Sequence, residues 1–193
     1  MVVQGIVQQM PRGTKKSPST ISGEVIAREL DKHGFKKSVA GDEFINAVKA
    51  VKTSVDNTRG MLICGAVGCG KTQLMNAIAH WNHSNTSQWV YVKDQLRLSH
   101  IRNTPGFFYP RSVYLDDIGT EEKIREYGNT IDIVGNFIQL YHKLGRGAFF
   151  ATTNLSSAQL NDRYDSRVVD RLLEMCVVYN MKGESKRERI ILK

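Results

Sequence analysis

One glycine-rich stretch restricts the folds open to this chain more than any other feature. Residues 65–72 read GAVGCGKT, which matches the pattern GxxxxGK[ST] in full. The apolar run MLIC precedes it, and QLMNAIAHW, which has helical periodicity, follows it. A strand, a glycine-rich turn and a helix in this order form a phosphate-binding loop, in which backbone N–H groups point at phosphate oxygens. The stretch therefore predicts a nucleotide-binding α/β domain.

Each part of this loop has a predicted task. The glycines let the backbone wrap closely around phosphate groups. Lys71 is expected to reach the β- and γ-phosphates, and the Thr72 hydroxyl is expected to be a ligand of Mg²⁺. A chance glycine loop is the alternative, and the flanking strand and helix argue against it. The predicted nucleotide contacts are Gly65, Ala66, Val67, Gly68, Cys69, Gly70, Lys71, Thr72 and Gln73.

A pair of acidic residues follows a second apolar run. The run Val113–Leu115 reads as a strand, and Asp116 and Asp117 come directly after it. In a parallel sheet beside the loop strand, a carboxylate at this tip arrives opposite Thr72. Asp116 is thus the predicted Mg²⁺ ligand, and Asp117 is predicted to orient the attacking water. The alternative for both is a solvated turn aspartate, because acidic residues before glycine are common in turns.

The remaining pattern indicates strands that alternate with helices from residue 61 onward, as in a parallel sheet. The predicted strands are Met61–Cys64, Trp89–Val92, Val113–Leu115, Ala148–Thr152 and Val177–Tyr179. The predicted helices between them are Gln73–Trp81, Asp94–Ile101, Ile131–Leu144 and Ser166–Cys176. Two short helices are expected earlier in the chain. We divide it into a flexible basic arm over 1–20, a short helical segment over 21–58 and a nucleotide-binding core over 59–193.

Charge and composition indicate the class of partner and the cellular compartment. The 193 residues carry a formal charge of +8, which favours nucleic acid or another polyanion as a partner. Apolar runs fall short of the roughly 18 to 20 residues that span a bilayer. The start of the chain does not read as a secretory signal, so we expect a cytoplasmic protein. The three cysteines lack the spacing of a zinc site or a disulfide framework.

Five segments together resemble the DnaC/DnaI/IstB group of AAA+ ATPases, which covers replicative helicase loaders and transposition helpers. They are GAVGCGKT, YLDDIGTE, FFATTNLS, SRVVDRLLEMC and GESKR, in the order of the family, and the resemblance runs from about residue 44 to residue 187. It implies an AAA+ type α/β fold with a five-stranded parallel sheet flanked by helices and no separate large lid domain. It also implies ATP as the nucleotide, with Mg²⁺.

The resemblance carries three further residues over. It places on Asn154 the polar group that senses the γ-phosphate, with a helix cap as the alternative. It places on Arg171 the arginine finger that reaches the ATP of a neighbouring subunit. Solvated ion pairs are the alternative there, because Arg171 precedes Glu174 by one helical turn. Arg187 corresponds to the arginine that contacts the nucleotide in its own subunit.

A segment between the second and third predicted strands mixes cations with aromatic rings. Such a mixture suits single-stranded DNA, because cations follow the phosphates while rings stack on bases. A buried aromatic cluster beside a solvated helix face is the alternative. The candidate contacts are Lys93, Arg97, Arg102, Phe107, Phe108, Tyr109 and Arg111.

These features lead to one main functional hypothesis. The chain is expected to be an ATP-hydrolysing AAA+ protein of the helicase-loader type, which acts in DNA replication by assembling with itself or on a hexameric helicase and single-stranded DNA. An IstB-like transposition helper is the runner-up. An ATP-gated adaptor with little turnover is a third hypothesis, because Asp117 stands where many AAA+ proteins have a longer glutamate. A nucleoside kinase is disfavoured, since no arginine-rich lid pattern is found.

Overall fold

The computed structural model describes residues 21–82, 87–91, 112–126, 129–145 and 147–183. Four sequence predictions lie outside these ranges: the basic arm, the helix over 94–101, the candidate DNA contacts over 93–111, and Arg187. The described helices are α1 (Gly23–Lys32), α2 (Lys37–Ala40), α3 (Asp42–Asp56), α4 (Lys71–Trp81), α5 (Ile133–Leu144), α6 (Ser157–Arg163) and α7 (Ser166–Met175). None of the helices in these ranges is long and apolar enough to cross a bilayer.

Five strands form one parallel sheet, as the sequence predicted. The described strands are β1 (Gly60–Cys64), β2 (Ser87–Tyr91), β3 (Ser112–Asp116), β4 (Ile124–Glu126), β5 (Asn129–Ile131), β6 (Ala148–Thr153) and β7 (Cys176–Asn180). The order in the sheet is β2-β3-β6-β1-β7, and β4 and β5 pair separately as an antiparallel hairpin. Strand β6 lies between β1 and β3, so the ends of these three strands meet at one edge of the sheet.

Successive side chains of the strands point to opposite faces of the sheet, and a separate hydrophobic core lies on each face. On β1, Leu62 packs into one core, whereas Met61 and Ile63 pack into the other. The first core also contains apolar residues of α5, α6 and α7, and the second contains those of α1, α3 and α4. The helices before β1 therefore share a core with the helix that follows the glycine-rich loop.

Several elements differ from the sequence predictions. Helix α5 begins at Ile133 instead of Ile131, because the Asp132 side chain caps it by accepting from the Gly135 N–H at 2.8 Å. Ile131 belongs to β5, and the β4–β5 hairpin was not predicted, since its strands have only three residues each. Three helices instead of two precede β1, and α6 was also missed. Helix α7 ends at Met175, where the chain turns directly into β7.

Candidate nucleotide-binding site

The glycine-rich loop connects β1 to α4, as predicted. Gly68 and Gly70 have φ angles of 85° and 109°, which residues other than glycine rarely adopt. Gly70 is the residue before helix α4, so the first helical residue is Lys71. Val67 is 58% exposed at the tip of the loop, whereas Cys69 is buried beneath it. The loop thus presents its backbone to solvent at a helix N-terminus, which is the arrangement that binds phosphate.

Lys71 lies inside this loop and is 6% exposed. Its Nζ donates to the carbonyl oxygens of Gly65 at 2.9 Å and Ala66 at 2.8 Å. The third bond goes to Oδ1 of Asn154, just beyond the end of β6. All three donors of the ammonium group therefore have partners. The cation is held between the phosphate-binding loop and the neighbouring strand.

Thr72 and Asp116 meet at the edge of the sheet, as the sequence predicted. The Thr72 hydroxyl donates to the two carboxylate oxygens of Asp116, at 3.0 and 3.1 Å. The Thr152 hydroxyl on β6 donates to Oδ1 of the same carboxylate at 2.6 Å. Three elements thus fix Asp116: its own strand, the start of α4 and strand β6. Hydroxyl and carboxylate oxygens are the hard ligands that Mg²⁺ prefers, so these residues fit the metal that the motif implies.

Asp117 adopts a backbone conformation that is uncommon for a residue with a side chain. Its φ is 58°, in the left-handed region, which aspartate tolerates better than most residues. The Asp117 N–H donates to the Thr152 hydroxyl at 2.7 Å, and Asn154 Nδ2 donates to Oδ1 of Asp117. The Asn154 amide consequently bridges Asp117 and Lys71. It does not cap a helix, because Ser156 holds the capping position of α6.

The cluster leaves the neighbouring thiol neutral. Burial raises the pKa of Cys64, at the end of β1, and the positive charge of Lys71 opposes this only in part. Lys71 is connected to Asp117 through the Asn154 amide, which accepts from Lys71 and donates to Asp117. A site with one cation beside two carboxylates can hold a metal ion and a polyphosphate together.

The other predicted site residues lie elsewhere. Gln73 donates from Nε2 to the Gly34 carbonyl at 2.8 Å, so it ties α4 to the segment after α1. Arg171 donates to Oε1 of Gln139 on α5 at 2.8 Å. Among the described residues Arg171 forms no ion pair with Glu174, whose Oε2 lies 2.5 Å from His142 Nε2. The structure thus brings Lys71, Thr72, Asp116, Asp117 and Asn154 together, and it places Arg171 on a different helix pair.

Two further residues at this edge of the sheet, Thr152 and Glu121, were not among the predicted site residues. Thr152 bonds both Asp116 and the backbone of Asp117. Glu121 accepts from the Gly119 N–H at 2.7 Å and so holds the turn after β3. Both lie within the segments that carry the family resemblance, which was the available signal. Their roles depend on how strands and loops pair, and a motif does not reveal that.

Solved structures support the same fold. A candidate primosome component from Streptococcus pyogenes serotype M3 superposes with a TM-score of 0.57 at 18% identity, covering 84% of this chain and 97% of that one. AMPPCP-bound DnaA from Aquifex aeolicus gives 0.53 at 18% identity, covering 75% of this chain and 48% of that one. Domain III of Thermotoga maritima DnaA gives 0.56 at 15% identity, covering 78% and 67%.

These likenesses concern the fold. The chain spans about half the length of the A. aeolicus protein. No protein-family model and no curated protein matches the sequence. The five-stranded parallel sheet and the glycine-rich loop define an α/β P-loop fold, which these solved structures share.

Proposed function

We propose that this protein binds and hydrolyses ATP with Mg²⁺ and acts in DNA replication as an AAA+ ATPase of the helicase-loader type. One observation is the main support for binding of a nucleotide with its metal ion. The Thr72 hydroxyl lies 3.0 and 3.1 Å from the carboxylate oxygens of Asp116, and Lys71, the preceding residue, begins helix α4. The likeness of the fold to a candidate primosome component and to DnaA supports the role in replication.

The proposed binding mode follows from the chemistry of the loop. Backbone N–H groups of residues 65–72 would bind the phosphates, and Lys71 would exchange its loop carbonyls for β- and γ-phosphate oxygens. Thr72 and Asp116 would hold Mg²⁺, which when bound neutralises charge on the phosphate oxygens. Thr152 keeps the Asp116 carboxylate turned toward Thr72. The nucleotide would thus complete contacts for which the side chains are already placed.

Asp117 and Asn154 are the proposed groups for the attacking water. Asn154 binds one carboxylate oxygen of Asp117, and the turn after β3 fixes the backbone of Asp117. The other carboxylate oxygen would orient and polarise a water molecule toward the γ-phosphate. Because Asp117 is shorter than a glutamate, we expect slow turnover that a partner accelerates.

Arg171 is the proposed finger for a neighbouring subunit. In its own chain it binds Gln139, and its positive charge would neutralise charge developing on the γ-phosphoryl group of the next copy. This requires self-association or assembly on a hexameric helicase. The charge of +8 agrees with a further contact to single-stranded DNA, for which residues 93–111 remain the candidates.

The test is ATP turnover by purified protein, with and without single-stranded DNA, while light scattering follows its mass. We expect Lys71→Ala to lose nucleotide binding and Arg171→Ala to keep binding but lose turnover by about 10³-fold or more. Arg167→Ala is the matched control, because Arg167 is exposed on the same helix one turn earlier. Turnover that is independent of protein concentration and unchanged in Arg171→Ala would exclude the in-trans mechanism.

A second measurement separates the loader from the transposition helper. The protein is mixed with a hexameric replicative helicase or with a transposase, and complex formation is followed in ATP and in ADP. ATP-dependent binding to the helicase supports the loader. Binding to the transposase alone would replace it with the helper function, and the nucleotide chemistry would stand in either case.

A further inference from the structure

A buried group of charged side chains lies beside the nucleotide site and has no part in the chemistry described so far. At its centre is Glu121, whose side chain is 1% exposed. Its Oε2 accepts from the Gly119 N–H at 2.7 Å. Its Oε1 accepts from Arg163 Nη2 at 2.8 Å and from the Tyr164 hydroxyl. Both oxygens of this carboxylate are therefore committed.

Arg163, at the end of α6, supplies the compensating charge. Its side chain is 15% exposed, and its Nη1 donates to Oδ2 of Asp132 at 2.7 Å. Its Nη2 also donates to the Glu121 carbonyl at 2.9 Å. Glu121 precedes the β4–β5 hairpin and Asp132 follows it, so one guanidinium joins the two ends of this segment. A planar fork of donors suits two carboxylates in this way, and a lysine could not replace it.

Two groups of this cluster keep their protons. Burial and the Glu121 charge raise the pKa of Tyr164, so its hydroxyl stays protonated and donates. Burial by itself would lower the pKa of Arg163, but the carboxylates of Glu121 and Asp132 outweigh it and raise this pKa. The guanidinium therefore stays charged. A buried carboxylate needs such a partner, because an unpaired charge in the interior is strongly unfavourable.

The turn that this cluster touches is the turn that carries Asp117. Asp117 has a φ of 58°, and Gly119, two residues later, has a φ of 95°. A Cβ added at Gly119 would lie 2.3 Å from Leu155 Cδ1. Strand β6 holds the first part of the turn, because the N–H groups of Asp117 and Ile118 donate to the Thr152 hydroxyl and carbonyl. Glu121 holds the last part through Gly119. Two sides thus fix an otherwise unfavourable backbone.

We propose that Arg163 is a positioning residue for ATP hydrolysis: by neutralising Glu121 it fixes the turn at 117–119 and so sets the orientation of the Asp117 carboxylate at Asn154. The inference rests on the proposed ATPase function. Arg163 acts through Glu121 and the Gly119 N–H, not through the nucleotide. Loss of Arg163 should therefore affect the catalytic step more than nucleotide binding, because Lys71, Thr72 and Asp116 keep their contacts.

The experiment compares Arg163→Met, Glu121→Gln and the double variant. Arg163→Met leaves a buried carboxylate without its cation, so we expect kcat to fall about 10- to 100-fold with ATP affinity unchanged. In the double variant the amide oxygen introduced at position 121 still accepts from Gly119 and no buried charge remains there, so most of the lost kcat should return. Asp132 also loses its cation, but its side chain is 24% exposed and keeps its bond from the Gly135 N–H. Arg163→Lys is measured as well, in case Arg163→Met does not fold. A lysine keeps the charge but can bind only one of the two carboxylates, so kcat should again fall.

A readout besides activity tests the same inference. Hydrogen exchange of the 117–121 amides should accelerate in Arg163→Met and slow again in the double variant. Ser54→Ala is the control for general destabilisation. Its buried hydroxyl donates to the Arg59 carbonyl at 2.6 Å, before strand β1 and at the opposite edge of the sheet. This control should lower the melting temperature without changing kcat or exchange at 117–121.

The outcomes distinguish a failure of the positioning role from a failure of the proposed ATPase function. Unchanged exchange at 117–121 in Arg163→Met, or a kcat that follows only the melting temperature as in Ser54→Ala, would overturn the positioning role. Absence of turnover in the wild-type protein, even with DNA and partner, would overturn the proposed function. In that event accelerated exchange in Arg163→Met would still show that Arg163 holds the turn.

Discussion

Asn154 illustrates how much of the site depends on the chemistry of one side chain. Its amide oxygen accepts from Lys71, and its amide nitrogen donates to Asp117. An amide is suited to this position because it both accepts and donates without adding a charge. A carboxylate of the same shape could accept from Lys71 but could not donate to Asp117. The side chain thus connects the group proposed to bind phosphate with the group proposed to activate water.

Replacing Asn154 by aspartate should therefore separate binding from turnover. Asn154→Asp keeps the acceptor for Lys71 but sets a second carboxylate against Asp117, so we expect kcat to fall about 10²-fold or more. ATP affinity, measured by fluorescence of a nucleotide analogue, should change much less. Asn161→Asp is the control, because Asn161 is exposed and its side chain donates to the Ser157 carbonyl of its own helix. Equal kcat in both variants would contradict the role of Asn154.

At the scale of elements, the order of the strands assembles the site. Strand β6 lies between β1 and β3, so its end reaches both the phosphate-binding loop and the acidic pair. Helix α7, which carries Arg171, is fixed at its C-terminus by a residue from another part of the chain. Arg59, just before β1, donates to the carbonyl oxygens of Leu173 and Cys176. A cation at this end also complements the helix dipole.

Removal of this cap should cost measurable stability. Arg59→Ala leaves the last carbonyls of α7 without their charged donor, and we expect the free energy of unfolding to fall by about 1.5 kcal/mol. Urea denaturation followed by circular dichroism measures the change. The matched control is Arg28→Ala, because the Arg28 side chain is 72% exposed and its ion pair with Glu29 contributes little. A loss no larger than that of the control would show that the cap is not stabilising.

For the whole molecule, the proposed nucleotide binding should be linked to folding. The helix that follows the phosphate-binding loop shares a hydrophobic core with α1 and α3, and Gln73 ties it to Gly34. A ligand that binds only the folded chain stabilises it by RT ln(1 + [L]/Kd), about 2.7 kcal/mol at a hundredfold excess over Kd. The site should therefore be detectable in the thermal stability of the entire domain.

ATP with Mg²⁺ should raise the melting temperature, and chelation of the metal should remove part of that increase. In Asp116→Asn we expect the difference between ATP with Mg²⁺ and ATP with EDTA to vanish, because the proposed metal ligand has lost its charge. Differential scanning fluorimetry at fixed protein concentration measures this. Asp162→Asn, on the exposed face of α6, is the control and should behave as wild type. A metal-dependent increase in melting temperature that persists in Asp116→Asn would show that Asp116 is not a ligand of the metal.

The sequence by itself predicted the phosphate-binding loop, the acidic pair and the five strands of the sheet. These features are encoded locally. A loop motif fixes its own backbone, and hydrophobic periodicity over a few residues identifies a strand or a helix. Even the meeting of Thr72 with Asp116 could be expected, because the ends of neighbouring parallel strands lie at the same edge of a sheet.

The tertiary structure decided what depends on pairing between distant parts of the chain. Arg163 lies 42 residues from Glu121, and Arg171 lies 32 residues from Gln139. No local pattern links either pair, because each contact exists only after the helices pack against the sheet in one register. The role of Thr152, which bonds residues 35 and 36 positions earlier in the chain, has the same origin. Motifs therefore determined which groups carry the proposed chemistry, and long-range packing determined which groups hold them in place.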